Sequence, residues 1–169
     1  MTVAGASLGL SLFQGGMMSV FPTQISVKTT AKLRRLFEEP PVKYGCPEKR
    51  TLPAWSPALY GAGERRANKN VKSVTALVYD YDDTTVYPAH MKTKLSSLGY
   101  SFALYTTWSH TEEKPRYRVV LFLSRSLAPF EYEKAWLKGI ELIGVPDVDT
   151  QAKDISRNYI LPVRREGFP

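Results

Sequence analysis

Residues 74–83 read VTALVYDYDD, an apolar, β-branched and aromatic run that carries straight into carboxylates at Asp80, Asp82 and Asp83. Such side chains suit a pleated strand, and apolar residues at both alternations describe a strand covered on its two faces. The run therefore predicts a central strand. Side chains two apart share a face, so Asp80 and Asp82 point one way and Asp83 the other. Two neighbouring carboxylates repel each other unless a cation joins them, and paired hard oxygens suit Mg²⁺ or Mn²⁺. The bland alternative is that the aspartates close the strand and open a turn at Thr84-Thr85.

Downstream of this strand the periodicity changes. AHMKTKLSSLG places Met91, Leu95 and Leu98 on one helical face, with Gly99 where a left-handed cap is needed. YSFALYTTWSH and RYRVVLFLS read as two strands joined through the polar TEEKP, an antiparallel hairpin with a loop. PFEYEKAWLKGIELIG starts a helix at Pro129 and lines up Tyr132, Trp136, Ile140 and Ile143. The order β-α-β-β-α predicts an α+β fold with an RNA-recognition-like (ferredoxin-like) antiparallel sheet, flanking helices and an N-terminal α/loop region. A last strand near Asn158–Val163 would complete that sheet.

Upstream the signals are weaker. SVKTTAKLRRLFEE predicts a short helix with Leu33, Leu36 and Phe37 on one face, an N-cap at Thr29 or Thr30 and a stop at Pro40-Pro41. The Pro- and Gly-rich stretch from Pro40 to about Lys72 predicts a long loop that exposes Arg65, Arg66 and Lys69. Residues 1–21 show no clear periodicity and are expected to be a disordered extension, leaving 22–169 as one domain.

A chain of 169 residues with 43% hydrophobic content suits a packed core rather than disorder. One cysteine, Cys46, excludes an internal disulfide, and with two histidines it makes a four-ligand zinc site hard to assemble. The first 21 residues lack a basic leading segment and are too short and Gly-interrupted to span a bilayer. A cytoplasmic protein without membrane contact is expected. The net charge of +7 is one-sided: residues 1–72 hold 11 Lys and Arg against 4 Asp and Glu, whereas residues 73–169 hold 12 against 12. A basic region beside a local acidic cluster suggests a polyanion held near metal-binding carboxylates.

Two further features join the DYDD cluster: Asp149 after Val148 in GVPDVDTQAKDISRNYILP, and His110 in TTWSHTEEKPRYRVV. Together they resemble the archaeo-eukaryotic primase superfamily, specifically primase-polymerase domains of plasmid and phage type. Those domains carry Asp-x-Asp/Glu at a strand end, Ser-x-His on a following strand and an apolar residue followed by Asp further on. RRANKNVKSVTALVYDYDD, SHTEEKPRYRVVLFLSR and DISRNYILP are similar to the corresponding stretches, so the resemblance spans roughly Ile25–Pro162. Trp108 stands where the family's serine would fall, with Ser109 adjacent. No helicase part and no cysteine set for a zinc knuckle accompany the motifs.

The resemblance implies a metal-dependent DNA primase/polymerase that makes short RNA or DNA strands on single-stranded DNA in the replication of a plasmid, phage or other mobile element. It implies that Asp80, Asp82 and Asp149 are catalytic and hold Mg²⁺ or Mn²⁺, in the manner of two-metal phosphoryl transfer. His110, Arg116, Arg118 and Arg157 would bind the nucleoside triphosphate, and Arg65, Arg66 and Lys69 the template, with Trp55 or Tyr60 stacking on bases. Lys114, Arg116 and Arg118 would share a face if their strand begins early. The resemblance also implies a separate replicative helicase as partner. The alternative is a catalytically inactive replication initiator or single-stranded DNA-binding module on the same fold. A nicking-type replication protein fits poorly, because its His-x-His pair is absent.

Overall fold

The computed structural model describes residues 8–38, 42–43 and 48–165. Their strands are β1 (Leu8–Phe13), β2 (Thr23–Val27), β3 (Val42–Lys43), β4 (Ala54–Ser56), β5 (Ala58–Tyr60), β6 (Val71–Tyr81), β7 (Phe102–Thr106), β8 (Tyr117–Leu127), β9 (Tyr159–Ile160) and β10 (Arg164–Arg165). The helices are α1 (Thr30–Phe37), α2 (Pro88–Ser97) and α3 (Pro129–Ile143). One four-stranded antiparallel sheet runs β5-β6-β8-β7 and a second runs β2-β1-β4-β9, while β3 and β10 form a short parallel pair.

The strand predicted from VTALVYDYDD is β6, central in its sheet and covered on both faces. Leu77, Tyr79 and Tyr81 pack with Met91 and Leu95 of α2 and with Tyr132, Trp136 and Ile143 of α3. Ala76 and Val78 pack the other way, with Trp55 and Tyr159 of the second sheet and Leu33 and Phe37 of α1. From Ala76 to Tyr81 the ladder with β8 is unbroken, after a register shift between Val74 and Ala76, and strict alternation there keeps these two sets apart. The helices form where the apolar spacing places them: Thr29 caps α1 by accepting from the Lys32 N–H, Pro129 begins α3, and Gly99 ends α2 at φ +72°. Pro40, Pro41 and Cys46 lie outside the described residues.

Three expectations change. Residues 8–21 belong to the fold rather than to a disordered extension, because β1 buries Leu10 and Phe13 and pairs with both β2 and β4. The presumed loop 40–72 contains β4 and β5, and both stacking candidates are inside: Trp55 is fully buried and Tyr60 nearly so. The last strand does not complete the sheet of β6. β9 pairs with β4 in the second sheet, and β5 takes the place beside β6. Short strands bounded by prolines carry no periodicity of their own and form only because partners supply hydrogen bonds. Among the described residues, no helix is long and apolar enough to cross a membrane.

Candidate functional site

β6, β7 and β8 end in one row: Tyr81 pairs with Tyr117, and Tyr117 with Thr106. This register brings the C-terminal end of β6 and the β7–β8 loop to the same end of the sheet. Asp80 is the last side chain of β6 on the face of Ala76 and Val78, opposite Arg118 on β8. The strand stops at Tyr81, so Asp82 stands in a bend, half-buried, and not on the ladder face that alternation predicts. Asp149 comes from the segment after α3. Its backbone N–H donates to the Asp80 carbonyl at 2.8 Å, which joins two stretches that are 69 residues apart.

Asp80 is 1% exposed, and its Oδ2 accepts from Arg118 Nε at 3.1 Å and Nη2 at 2.9 Å. Its Oδ1 is buried with no hydrogen-bond partner. Burial pushes the Asp80 carboxyl up and nearby Asp82 adds to this, against the pull of the Arg118 guanidinium and, more weakly, of Arg157. Arg118 stays charged. Its guanidinium lies 5.9 Å from the Tyr105 ring centre and 5.3 Å from that of Tyr159, and it donates to the Ile160 carbonyl at 3.5 Å. Asp149 is partly exposed, caps the short 3₁₀ turn Thr150–Lys153 by accepting from the Gln151 N–H, and pairs with Arg157 at 3.3 Å.

The remaining candidates are distributed around this end. His110 lies in the β7–β8 loop and not on a strand, because β7 ends at Thr106. Its Nδ1 accepts the Arg116 N–H at 3.0 Å, so a neutral imidazole carries its proton on Nε2. β8 begins at Tyr117, which leaves Lys114 and Arg116 in the loop and removes the shared strand face with Arg118. Arg118 is 9% exposed and committed to Asp80 rather than presented to solvent. Sequence reading missed that pairing, although a lone arginine inside the apolar run Tyr117–Leu123 signals a buried partner.

Arg65 and Lys69 are exposed, as expected of a basic loop. Arg66 is half-buried instead: its Nη1 donates to the Ser156 carbonyl at 3.4 Å, and its Nε is buried without a partner. The segment Asp154–Asn158 therefore touches both charge blocks, through Arg157 to Asp149 and through Ser156 to Arg66.

Hard carboxylate oxygens suit a divalent cation of the Mg²⁺ class, and Asp80 Oδ1 is an acceptor that such an ion would satisfy. Among the described residues no three His, Cys, Asp or Glu side chains stand together so as to hold a metal by themselves. Mg²⁺ is usually held by only one or two carboxylates, with substrate phosphates and water completing its shell. Asp80, Asp82 and Asp149 carry oxygen donors of the type such an ion takes.

A family model for the VapE N-terminal domain matches residues 59–165, the stretch from within β5 through β10 that contains all the acidic and basic site candidates. The chain belongs to the VapE N-terminal domain family. The family region thus takes in the β5-β6-β8-β7 sheet except Ala58 and leaves β1 to β4 and α1 before it. Among solved structures, the archaeo-eukaryotic primase domain of the cyanophage S-2L primase-polymerase is similar, with 13% sequence identity, a TM-score of 0.49, and coverage of 91% of this chain and 72% of that one. No curated protein matches the chain.

Proposed function

We propose that this domain of the VapE N-terminal family is a metal-dependent nucleotidyltransferase that makes short RNA or DNA strands on a single-stranded DNA template in the replication of a plasmid, phage or other mobile element. The observation that carries the reading is the junction at the end of β6, where Asp80 and Asp149 are joined by a backbone hydrogen bond, Asp82 is close enough to perturb Asp80, and Asp80 Oδ1 lacks a partner. Asp80, Asp82 and Asp149 would hold Mg²⁺ or Mn²⁺. A bound cation of this kind stabilises the attacking and leaving oxygens of phosphoryl transfer. Arg118 keeps the Asp80 carboxylate in one orientation, so of the four nucleotide-binding candidates it is assigned to positioning. Arg157, Arg116 and His110 would meet the triphosphate. Arg65 and Lys69 would hold the template phosphates, with Arg66 anchoring their loop. A separate helicase that opens the duplex belongs to the same proposal.

The test is primer synthesis with labelled nucleotides, Mg²⁺ or Mn²⁺, and single-stranded circular DNA. Asp82→Asn is expected to abolish incorporation while single-stranded DNA affinity holds or rises, because a repulsive charge near the phosphates is removed. Incorporation by Asp82→Asn at the wild-type rate would sink the reading. A second reading, a non-catalytic initiator or single-strand-binding module, is favoured by the fact that Asp80 and Asp149 already have arginine partners. It predicts wild-type binding to single strands with no incorporation under either cation.

A further inference from the structure

The β1–β2 turn exposes large apolar side chains in a setting that is otherwise basic. Met18 is 72% exposed and Phe21 66% exposed, with Val20 between them also at the surface. Monomeric surfaces carry scattered apolar residues routinely, but a cluster rimmed by charge marks a contact site.

The turn is held at three points. The Met17 N–H donates to the Arg50 carbonyl at 3.0 Å, the Arg66 N–H donates to the Val20 carbonyl, and Asn158 Nδ2 donates to the Met17 carbonyl at 3.0 Å. Gly16 sits at φ +84° with its α-carbon against the Arg50 backbone, where any side chain would collide. The apolar residues are therefore presented on a fixed support. The three anchor points also define their surroundings. Lys49 and Arg50 are exposed on one side, Arg65 and Lys69 flank Arg66 on another, and Asn158 follows Arg157, the partner of Asp149. Among the described residues no carboxylate forms an ion pair with Lys49, Arg50, Arg65 or Lys69; Glu64 is taken by Lys72 at 3.2 Å, and the exposed Glu48 precedes Lys49 in the chain.

An exposed ring among unpaired cations is complementary to single-stranded nucleic acid, whose phosphates need charge and whose unstacked bases need a flat apolar partner. An apolar protein partner would gain nothing from the surrounding positive charge, which it would have to desolvate. We propose that Phe21, supported by Met18, is a base-stacking platform for the single-stranded template, with Lys49, Arg50, Arg65 and Lys69 on the flanking phosphates. This rests on the template-directed reading above and adds to it residues of the β1–β2 turn, which lie before the stretch that the family model matches.

The test measures fluorescence anisotropy of the whole chain on two probes of equal length, oligo-dT of roughly 12 nucleotides and the same backbone without bases. Stacking contributes about 1–3 kcal/mol per base, so Phe21→Ala is expected to weaken oligo-dT binding roughly 5- to 150-fold and to leave the abasic probe unchanged. Arg65→Ala with Lys69→Ala should weaken both probes alike. Phe21→Trp should retain affinity and show tryptophan emission that oligo-dT quenches and the abasic strand does not. Equal binding of oligo-dT by wild type and Phe21→Ala, or equal losses on both probes, overturns the platform. So does a wild type that binds neither probe, or a Phe21→Ala variant whose only change is reduced self-association in sedimentation, which would make the patch a contact between copies. Absence of primer synthesis with Phe21-dependent binding intact overturns the enzyme reading alone.

Discussion

The two faces of β6 differ by one residue in the chain and by almost everything in their chemistry. On one face Tyr79 and Tyr81 are buried against α2 and α3, and their hydroxyls donate to the Trp136 and Val145 carbonyls. Burial pushes both phenols well up, so they remain neutral donors at any physiological pH. On the other face Asp80 is equally buried, but it carries a charge opposite Arg118 and one oxygen without a partner. The tyrosine face is built for stability. A buried ion pair is a poor way to gain stability, because desolvation of both groups offsets most of their attraction. Its presence at a strand end beside Asp82 and Asp149 is the reason that end is proposed as the working one.

The contrast can be broken from the charged side first. Arg118→Met leaves Asp80 buried and uncompensated, and the expected loss is about 3–5 kcal/mol in urea unfolding. Adding Asp80→Leu to Arg118→Met removes both charges. If the pair exists for chemistry, the double variant should return to within about 1 kcal/mol of wild type. A double variant as unstable as the single one would mean that the pair holds the two sheets together.

The tyrosine face has its own sensitive point at Gly139, on α3. An added methyl there would overlap the Tyr79 hydroxyl. Helix propensity alone favours alanine over glycine by about 1 kcal/mol, whereas overpacking a tight contact costs about 1–3 kcal/mol. Gly139→Ala is therefore expected to destabilise modestly and to leave incorporation unchanged; a net gain would show that the contact between α3 and β6 is looser than the packing indicates.

The smallest effect belongs to an exposed ion pair that serves as a control for the buried one. Glu131 accepts from Arg125 and reaches back to the Ala128 N–H at the start of α3. The Arg125 hydrogen bonds, helped by that backbone N–H, hold its carboxyl down from about 4.5 to about 2. A carboxyl that is lower in the folded chain adds stability above its ordinary value and loses that contribution as pH falls toward 2. Glu131→Gln should lower the melting temperature slightly at pH 7, and the difference should shrink between pH 4.5 and 2. A difference constant across that range would show that the cap is made by shape rather than charge.

Local signals carried the reading a long way where the relevant contacts are local. The spacing of Met91 and Leu95, the apolar stripe from Tyr132 to Ile143 and the double-faced run before Asp80 each describe the surface one element must bury, and these elements form as the pattern indicates. The site was legible to the same extent: the carboxylates Asp80 and Asp82 are visible as neighbours, but the bend after Tyr81 that takes Asp82 off the ladder is not.

Consecutive residues are enough to specify the β-α-β-β-α core, its helix faces and the acidic strand end, since periodicity is a property of a few neighbours in the chain. Only the tertiary structure decided that Leu8–Phe13 is a buried strand, that Tyr159–Ile160 joins the second sheet, and that Arg118 belongs to Asp80. It alone tied the turn bearing Phe21 to Arg66 and Asn158. These are pairings across tens of residues, and a two- or three-residue strand or a lone arginine has no partner until the chain has closed on itself.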